Sequence, residues 1–544
     1  MRQLVVLPVM LPLLGAGITL VLAGRPRLQR LVSVLVLAAT LAVAMALLVT
    51  TARHGTLVVE IGAWPAPVGI VLVADRLATL MLVVSAAVTL AVLCYAVGQG
   101  LADGDAEAPV AVYHPTYLVL TAGVANAFLA GDLFNLFVGF EVLLAASYVL
   151  IMLGGTEARL RVGSTYVVVS LLSSMLFLSA IALVYSATGT LNLAQLAGRL
   201  DALPDNLRLL LQIMLLLAFG IKAAVFPLSA WLPDSYPSAP APVTAVFAGL
   251  LTKVGVYAII RTETLLFPGG RAADLLLMVA LLTMLVGILG AVVQTDIKRL
   301  LSFTLVSHIG YLLFGVALTS AAGLAGAIFY VLHHITVQTT LFLAAGLVER
   351  RAGSTDLERL GGLARSAPGL AVLLGLPALS LAGVPPFSGF LGKLGLFQAG
   401  VAEGGVLPWA LVAAGSLTSL LTLYAMIRVW NLAFWRPAPT AEPAVPAGVG
   451  GGAEPAVPAG AGGGAEPAGP GGGGTTVAAP ELVGADAAGR SLPGLMLGAT
   501  VALVALGLAF TVIAGPLYRV AGDAAAELRQ RTPYVEAVLP AGAP

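Results

Sequence analysis

"GIKAAVFPLSAWLPDSYPSAPAPVTAVFAGLLTKVGVYAIIR", residues 220 to 261, sets Lys222 and Lys253 in two apolar runs separated by five prolines. The chain around it has 544 residues, 59% of them hydrophobic and 10% charged, with a mean hydropathy of +1.00. A soluble domain of this length does not tolerate such values. The sequence is that of an integral membrane protein, and a lysine placed in the middle of a span is there at a cost that has to be explained.

A bilayer core takes about 20 apolar residues per helix, and fourteen such runs are found along the chain. The expected fold is an all-α membrane protein of about fourteen transmembrane helices. Two of them carry internal breaks: helix 7, in the opening stretch, and helix 12, in "LSLAGVPPFSGFLGKLGLF". Backbone groups freed by a break are tolerated in lipid only where protein or water satisfies them. Paired breaks in corresponding halves point to an internal repeat with the transport path at the breaks. "YAIIR" (257–261) near the end of helix 8 and "YAMIR" (424–428) near the end of helix 13 repeat at the matching place. The expected organisation is therefore residues 1–112 with helices 1–3, a first repeat at 113–261 (helices 4–8), a second at 273–433 (helices 9–13), a linker at 436–490, and a last helix with a tail at 491–544. The linker is rich in Gly, Pro and Ala and is expected to be disordered, since nothing in it can bury a core.

Loops after odd-numbered helices hold thirteen basic residues and loops after even-numbered helices six, Arg261 among the six. Basic loops stay in the cytoplasm, which places both termini outside it. The formal net charge of +1 gives no reason to expect nucleic acid as a partner. A single cysteine, Cys94, rules out a disulfide or a thiolate cluster within the chain. With no HExxH, CxxC or phosphate loop either, neither a metal nor a cofactor is expected, and the chain reads as a conduit rather than an enzyme.

The basic residues are sorted by type. Only four of the 27 are lysine: Lys222, Lys253, Lys298 and Lys393. Three of these fall in membrane helices, while the loops use arginine almost throughout, Lys298 being the exception. Arginine stays protonated under any accessible condition, whereas lysine can give up its proton. Glu141, in "FNLFVGFEVLLAASYVL", is the one acid read near a helix centre, about 12 Å from either end. Lys222 is its natural partner, because a buried carboxylate is costly unless paired. His308, in "TLVSHIGYLLFG", and His333 with His334, in "YVLHHITVQTTLFLAAG", add groups that both donate and accept protons. Ser302, Ser307, Thr336, Gln338 and Thr339 can hold water between these groups or simply join helices. The plainer readings are snorkelling for the lysines and interhelical hydrogen bonding for the histidines.

The stretches "FEVLLAASYVLIML", "DIKRLLSFTLVSHIGY" and "GVPPFSGFLGKLGLF", with the opening one, resemble the antiporter-like subunits shared by respiratory complex I, membrane-bound hydrogenases and multisubunit Mrp cation/proton antiporters. "VLHHITVQTTLFLAAGLVERR" and "STDLERLGGLARSAP" are most similar to the D subunit of the Mrp type. The resemblance implies two inverted five-helix bundles, each with a broken helix, in the bacterial plasma membrane. It makes Glu141 and Lys222 a coupling pair, Lys253 the next relay lysine, His333 a bridging relay residue with His334 beside it, and Lys393 the terminal lysine. It also implies protons and sodium as the transported ions, other membrane subunits as partners, and no cofactor. A departure from the pattern is Gln338, where many relatives carry a lysine. The other functions in view are a proton-pumping subunit of a redox complex and, from a different class, a proton-independent solute transporter or a structural scaffold.

Overall fold

Long apolar runs settle into helices because the lipid interior offers no water to the backbone, and a helix satisfies its own peptide groups. The computed structural model describes residues 2–100, 110–155, 157–269, 271–437 and 491–539. In chain order, the helices of the first part are α1 (Leu7–Val21), α2 (Pro26–His54), α3 (Arg76–Gln99), α4 (Val110–Leu129), α5 (Leu133–Met152), α6 (Glu157–Thr188), α7 (Leu193–Arg199), α8 (Asp205–Ala223), α9 (Trp231–Ser235), α10 (Ala241–Val246) and α11 (Thr252–Arg261). They continue as α12 (Ala273–Val292), α13 (Ile297–Ala317), α14 (Ala321–Ala352), α15 (Leu363–Ser366), α16 (Pro368–Ala382), α17 (Ser388–Glu403), α18 (Val406–Trp430), α19 (Gly494–Val512), α20 (Ala514–Arg529) and α21 (Arg531–Val538).

Twelve stretches among the described residues are long and apolar enough to cross a membrane. The two expected runs outside that number are α4 and the broken helix 12, which divides into α16 and α17. The centre of the molecule is α14 with α10, α11 and α13, buried along all or nearly all of their apolar lengths, while α2 and α19 lie at the periphery.

Corresponding points of the two halves share local geometry. Asp132 caps α5 by accepting from the Asn135 amide at 2.6 Å, and Asp296 caps α13 by accepting from the Arg299 amide at 2.9 Å. Each capping residue also makes an isolated antiparallel bridge sixty residues further on, Asp132 to Asn192 and Asp296 to Asp356. The break after α8 begins with Ala224 in the left-handed region (φ 57°), and the break after α16 begins with Gly383 in the same region (φ 86°). Beyond the two similar pentapeptides, α11 and α18 both run on into a π-helical turn, Thr262–Leu266 and Asn431–Trp435.

The structure departs from the sequence reading in five places. The all-α expectation misses a hairpin, β1 (Leu57–Glu60) paired antiparallel with β2 (Val71–Ala74); each strand is too short to register as a helix or a span, and Gly and Pro fill the turn between them. The C-terminal tail is helical. Ala521, Ala524, Ala525 and Leu528 are buried on one face of α20 at helical spacing. That face packs across α14 and α3.

Arg261 is not a loop residue. It is 3% exposed within α11 and pairs with Asp75 Oδ2 at 2.6 Å, with Tyr534 of α21 over its guanidinium at 5.2 Å. Lys298 is not in a loop either. It lies in the first turn of α13, buried, and pairs with Glu349 Oε2 at 2.7 Å, because the end of α14 brings that carboxylate over it. Arg436, the expected start of the linker, is held by the carbonyls of Leu357, Glu358 and Leu360 at 2.6 to 3.0 Å. The rest of the expected linker, from residue 438 to 490, lies outside the described residues.

Candidate functional site

The charged residues of the first half meet where α5, α6 and α8 converge. Glu141 is half-buried on α5, and Lys222 is buried one residue before the end of α8. They do not touch directly. The Ser174 hydroxyl on α6 donates to Glu141 Oε1, and Lys222 Nζ donates to the Ser174 oxygen at 3.2 Å. The ammonium also lies 4.9 Å from the centre of the Phe140 ring, a placement that suits a cation. Beside it is a cavity of about 20 Å³ lined by Lys222, Ser170, Ser173, Tyr166, Trp231 and apolar side chains, room enough for one water molecule. The break that follows is satisfied by side chains. Trp231 Nε1 donates to the Ile221 carbonyl at 3.2 Å, and the Phe226 amide donates to Thr283 Oγ1 at 3.1 Å.

Lys253 is the next ammonium inward. It is fully buried, and its Nζ donates to the Ala248 carbonyl at 2.5 Å, inside the π-helical turn Phe247–Leu251. No carboxylate lies within ion-pairing distance of it among the described residues. Two glycines set its position. A Cβ at Gly255 would come within 2.7 Å of the Ala223 nitrogen, and one at Gly249 would collide with the Thr339 hydroxyl. Their absent side chains let this helix press against α8 on one side and α14 on the other.

The second half continues the line with aromatic and imidazole rings. His334 stacks on His308 with ring centres 5.4 Å apart and planes at 16°. His308 hydrogen-bonds Tyr330 Oη at 2.7 Å through Nδ1 and Thr422 Oγ1 at 3.4 Å through Nε2. His333 hydrogen-bonds Ser388 Oγ at 2.9 Å, at the start of α17, with Tyr330 beside it at 5.3 Å. Lys393, one turn further along α17, donates to the carbonyls of Leu381 at 2.9 Å and Ala382 at 3.1 Å, the last residues of α16. Its ammonium sits 4.9 Å from the Tyr311 ring centre. Gly383 is required there, since a Cβ would press on the Lys393 side chain at 3.0 Å.

Of the sequence candidates, Lys222, Lys253, His308, His333, His334 and Lys393 are buried and Glu141 is half-buried, and together they form an interior band of residues carried by α5, α8, α11, α13, α14 and α17. Both ring nitrogens of His334, Nε2 of His333 and Oε1 of Gln338 are buried with no protein partner among the described residues, and such atoms are ordinarily satisfied by water. The Gln338 amide nitrogen is committed to the Leu301 carbonyl at 2.8 Å. Ser302, Ser307, Thr336 and Thr339 each donate to a backbone carbonyl, those of Lys298, Met284, Leu332 and Ile335. Sequence reasoning passed over Ser174, Tyr330 and Ser388. Tyr330 was the most accessible of these, lying one helical turn before His333 and His334.

The family model for the membrane part of NADH:quinone oxidoreductase and Mrp antiporter subunits matches residues 130–422. The chain is 42% identical over 438 residues to the D subunit of the Na(+)/H(+) antiporter of Alkalihalophilus pseudofirmus, covering 80% of this chain and 87% of that protein. Its fold is similar to a chain of the Mrp complex from Dietzia sp., with a TM-score of 0.85, 36% identity and 99% and 100% of the two chains covered. It is also similar to a chain of respiratory complex I from Thermus thermophilus, with a TM-score of 0.74, 25% identity and 96% and 99% of the two chains covered. With its two broken helices, its interior band of lysine and histidine and these relatives, the chain belongs to the NADH:quinone oxidoreductase/Mrp antiporter family of membrane subunits.

Proposed function

We propose that the chain is the proton-translocating membrane subunit of a multisubunit sodium/proton antiporter, a transporter subunit rather than an enzyme, working with other membrane subunits of an Mrp-type assembly. The observation that carries this reading is the use of lysine, not arginine, at Lys222, Lys253 and Lys393 inside the band. A proton moves along such a line only through groups that can be both protonated and neutral. In this reading a proton reaches Lys222 through Ser174 and Glu141, passes to Lys253, crosses to the second half through His334, His308 and His333 with water between them, and ends at Lys393. The absence of a lysine at Gln338 supports a crossing that depends more on His333, His334 and water.

The shared caps, bridges, left-handed breaks and π-helical turns support two related units, residues 113–261 and 273–433, which we take to be inverted with respect to each other. The basic-loop asymmetry supports a plasma-membrane orientation with both termini outside the cytoplasm and the 436–490 linker inside. Moving Arg261 and Lys298 out of the loops takes one basic residue from each side and leaves the excess as it was. The test is Lys253→Arg in the whole complex, assayed in vesicles by sodium-dependent dequenching of a pH dye. Transport at the parent rate in an assembled complex sinks the relay. A second reading, a proton-pumping subunit of a redox complex, draws on the similarity to the Thermus thermophilus chain. Purification from the native membrane separates the two: flavin and iron–sulfur proteins in the preparation favour the redox complex, and small membrane subunits alone favour the antiporter.

A further inference from the structure

A partly buried carboxylate outside the band, that of Glu263, has no ion-pair partner among the described residues. Glu263, in the π-helical turn that continues α11, is partly buried, and both of its oxygens accept from Gln212 Nε2 of α8, at 3.0 and 2.9 Å. Gln212 is 2% exposed. The cations of the neighbourhood are engaged elsewhere. Arg261 pairs with Asp75 at 2.6 Å, Arg208 with Asp201 at 2.9 Å, and Arg271 with Asp205 at 2.7 Å. Of the other elements packed on this turn, α7 offers Arg199, which donates to the Thr188 carbonyl at 2.5 Å. From α20 come the acids Asp523 and Glu527, both within ion-pairing distance of Arg76, while the arginines of that helix, Arg519 and Arg529, are exposed. Burial, with Asp75 close by, holds the Glu527 carboxyl above its ordinary value.

The position of Glu263 gives its isolation a use. The exposed pair Arg271–Asp205 and the Arg208 contact to the Pro268 carbonyl at 3.4 Å mark the water-facing end of α8 and α11. Gln212 lies one helical turn inside that rim, about 6 Å from Arg208 along the helix. Inward, Glu263 is ten residues from Lys253 on one helix and Gln212 ten residues from Lys222 on the other, about 15 Å in each case. Both helices therefore carry a midplane lysine at one level and one member of the Glu263–Gln212 pair at the other. A carboxylate charge balanced by nothing but an amide is expensive in a partly buried place, so this group takes up a proton more readily than an acid paired with a cation, which stays charged.

We propose that Glu263, held in place by Gln212, is the proton-exchange group at the mouth of the first half, between water on that side and the midplane lysines. This rests on the relay reading above, and the experiment keeps the two apart. Glu263→Gln, Glu263→Asp and Lys253→Arg are each introduced into the whole complex, and sodium-driven proton movement is measured in vesicles at a series of sodium concentrations, with assembly followed by co-purification of the other subunits. Glu263→Gln keeps the size of the side chain and a polar contact to Gln212 but cannot take up a proton. It is expected to lower the saturating rate about tenfold, less than the loss of a fully enclosed acid–base group because water substitutes in part at a mouth, and to leave the half-saturating sodium concentration unchanged. Glu263→Asp keeps the titratable group and is expected to stay within about threefold of the parent. A Glu263→Gln complex at the parent rate overturns the proposal. If that variant does not assemble, Glu263→Asp decides, and an assembled but inactive aspartate variant overturns it as well. A silent Lys253→Arg refutes the relay itself, and the mouth assignment falls with it; an inactive Lys253→Arg beside a fully active Glu263→Gln refutes only the assignment of Glu263.

Discussion

In the first half the buried ammonium of Lys222 faces the Glu141 carboxylate through the hydroxyl of Ser174, whereas in the second half the ammonium of Lys393 is met by the carbonyls of Leu381 and Ala382, the free end of α16. Both lysines stand at a helix break of similar geometry. Their counter-charges differ in kind. A carboxylate carries a full negative charge that can move with its side chain or be cancelled by a proton, while a helix C-terminus offers about half a charge that is fixed in the backbone. In the proposed relay the first half can change the charge seen by its lysine, and the second keeps it constant. Lys253 has one carbonyl and, among the described residues, no carboxylate partner.

The largest effect expected from this difference is on Lys222 and Lys253. Replacing either with arginine should abolish sodium-coupled proton movement in vesicles, since a group with a pKa above about 12 does not reach a neutral state, while the other subunits still co-purify. Glu141→Gln comes next. It removes the one charge that distinguishes the halves, and a loss of about a hundredfold in rate is expected, the scale of a positioned acid–base group. A parent-like rate for this variant would make the two halves functionally equivalent and erase the comparison.

Two serines sharpen it further. Ser174→Ala takes away the link between Glu141 and Lys222 but leaves both charges, so a loss of about tenfold is expected, with water from the adjacent cavity replacing the hydroxyl in part. Ser388→Ala removes a partner that orients His333 without lying between two charges, and a loss of only about threefold is expected, the cost of one neutral hydrogen bond. Equal losses at the two serines, measured in the same vesicle assay, would remove the distinction between a bridge and an orienting contact. The smallest effect belongs to Lys298→Arg. Its pair with Glu349 needs a fixed positive charge, so rate and assembly are expected to stay within about twofold of the parent.

Much of the candidate site was legible because charge in an apolar chain is conspicuous. Lys222, Lys253 and Lys393 stand out against arginine-bearing loops, Glu141 stands out in its helix, and proline with small polar residues marks both breaks. Serines and tyrosines give no comparable signal. Ser174 is one of several hydroxyls along α6, and only the approach of α5 and α8 selects it. Lys298 and Arg261 were misplaced for a related reason: each sits near the end of an apolar run, and its burial is decided by a carboxylate from a distant part of the chain, Glu349 for one and Asp75 for the other.

Composition and run length by themselves determined that this chain is a bundle of membrane helices with two interruptions and titratable groups at depth, because the lipid interior penalises every unsatisfied backbone group and every stray charge in a way that can be read one residue at a time. Only the tertiary structure decided which of those groups meet: that Glu141 reaches Lys222 through Ser174, that Lys393 turns to the end of α16, and that Glu263 is left to Gln212. Hydrogen bonds and ion pairs form over about 3 Å, and helices far apart in the sequence come that close through packing, which local pattern does not encode.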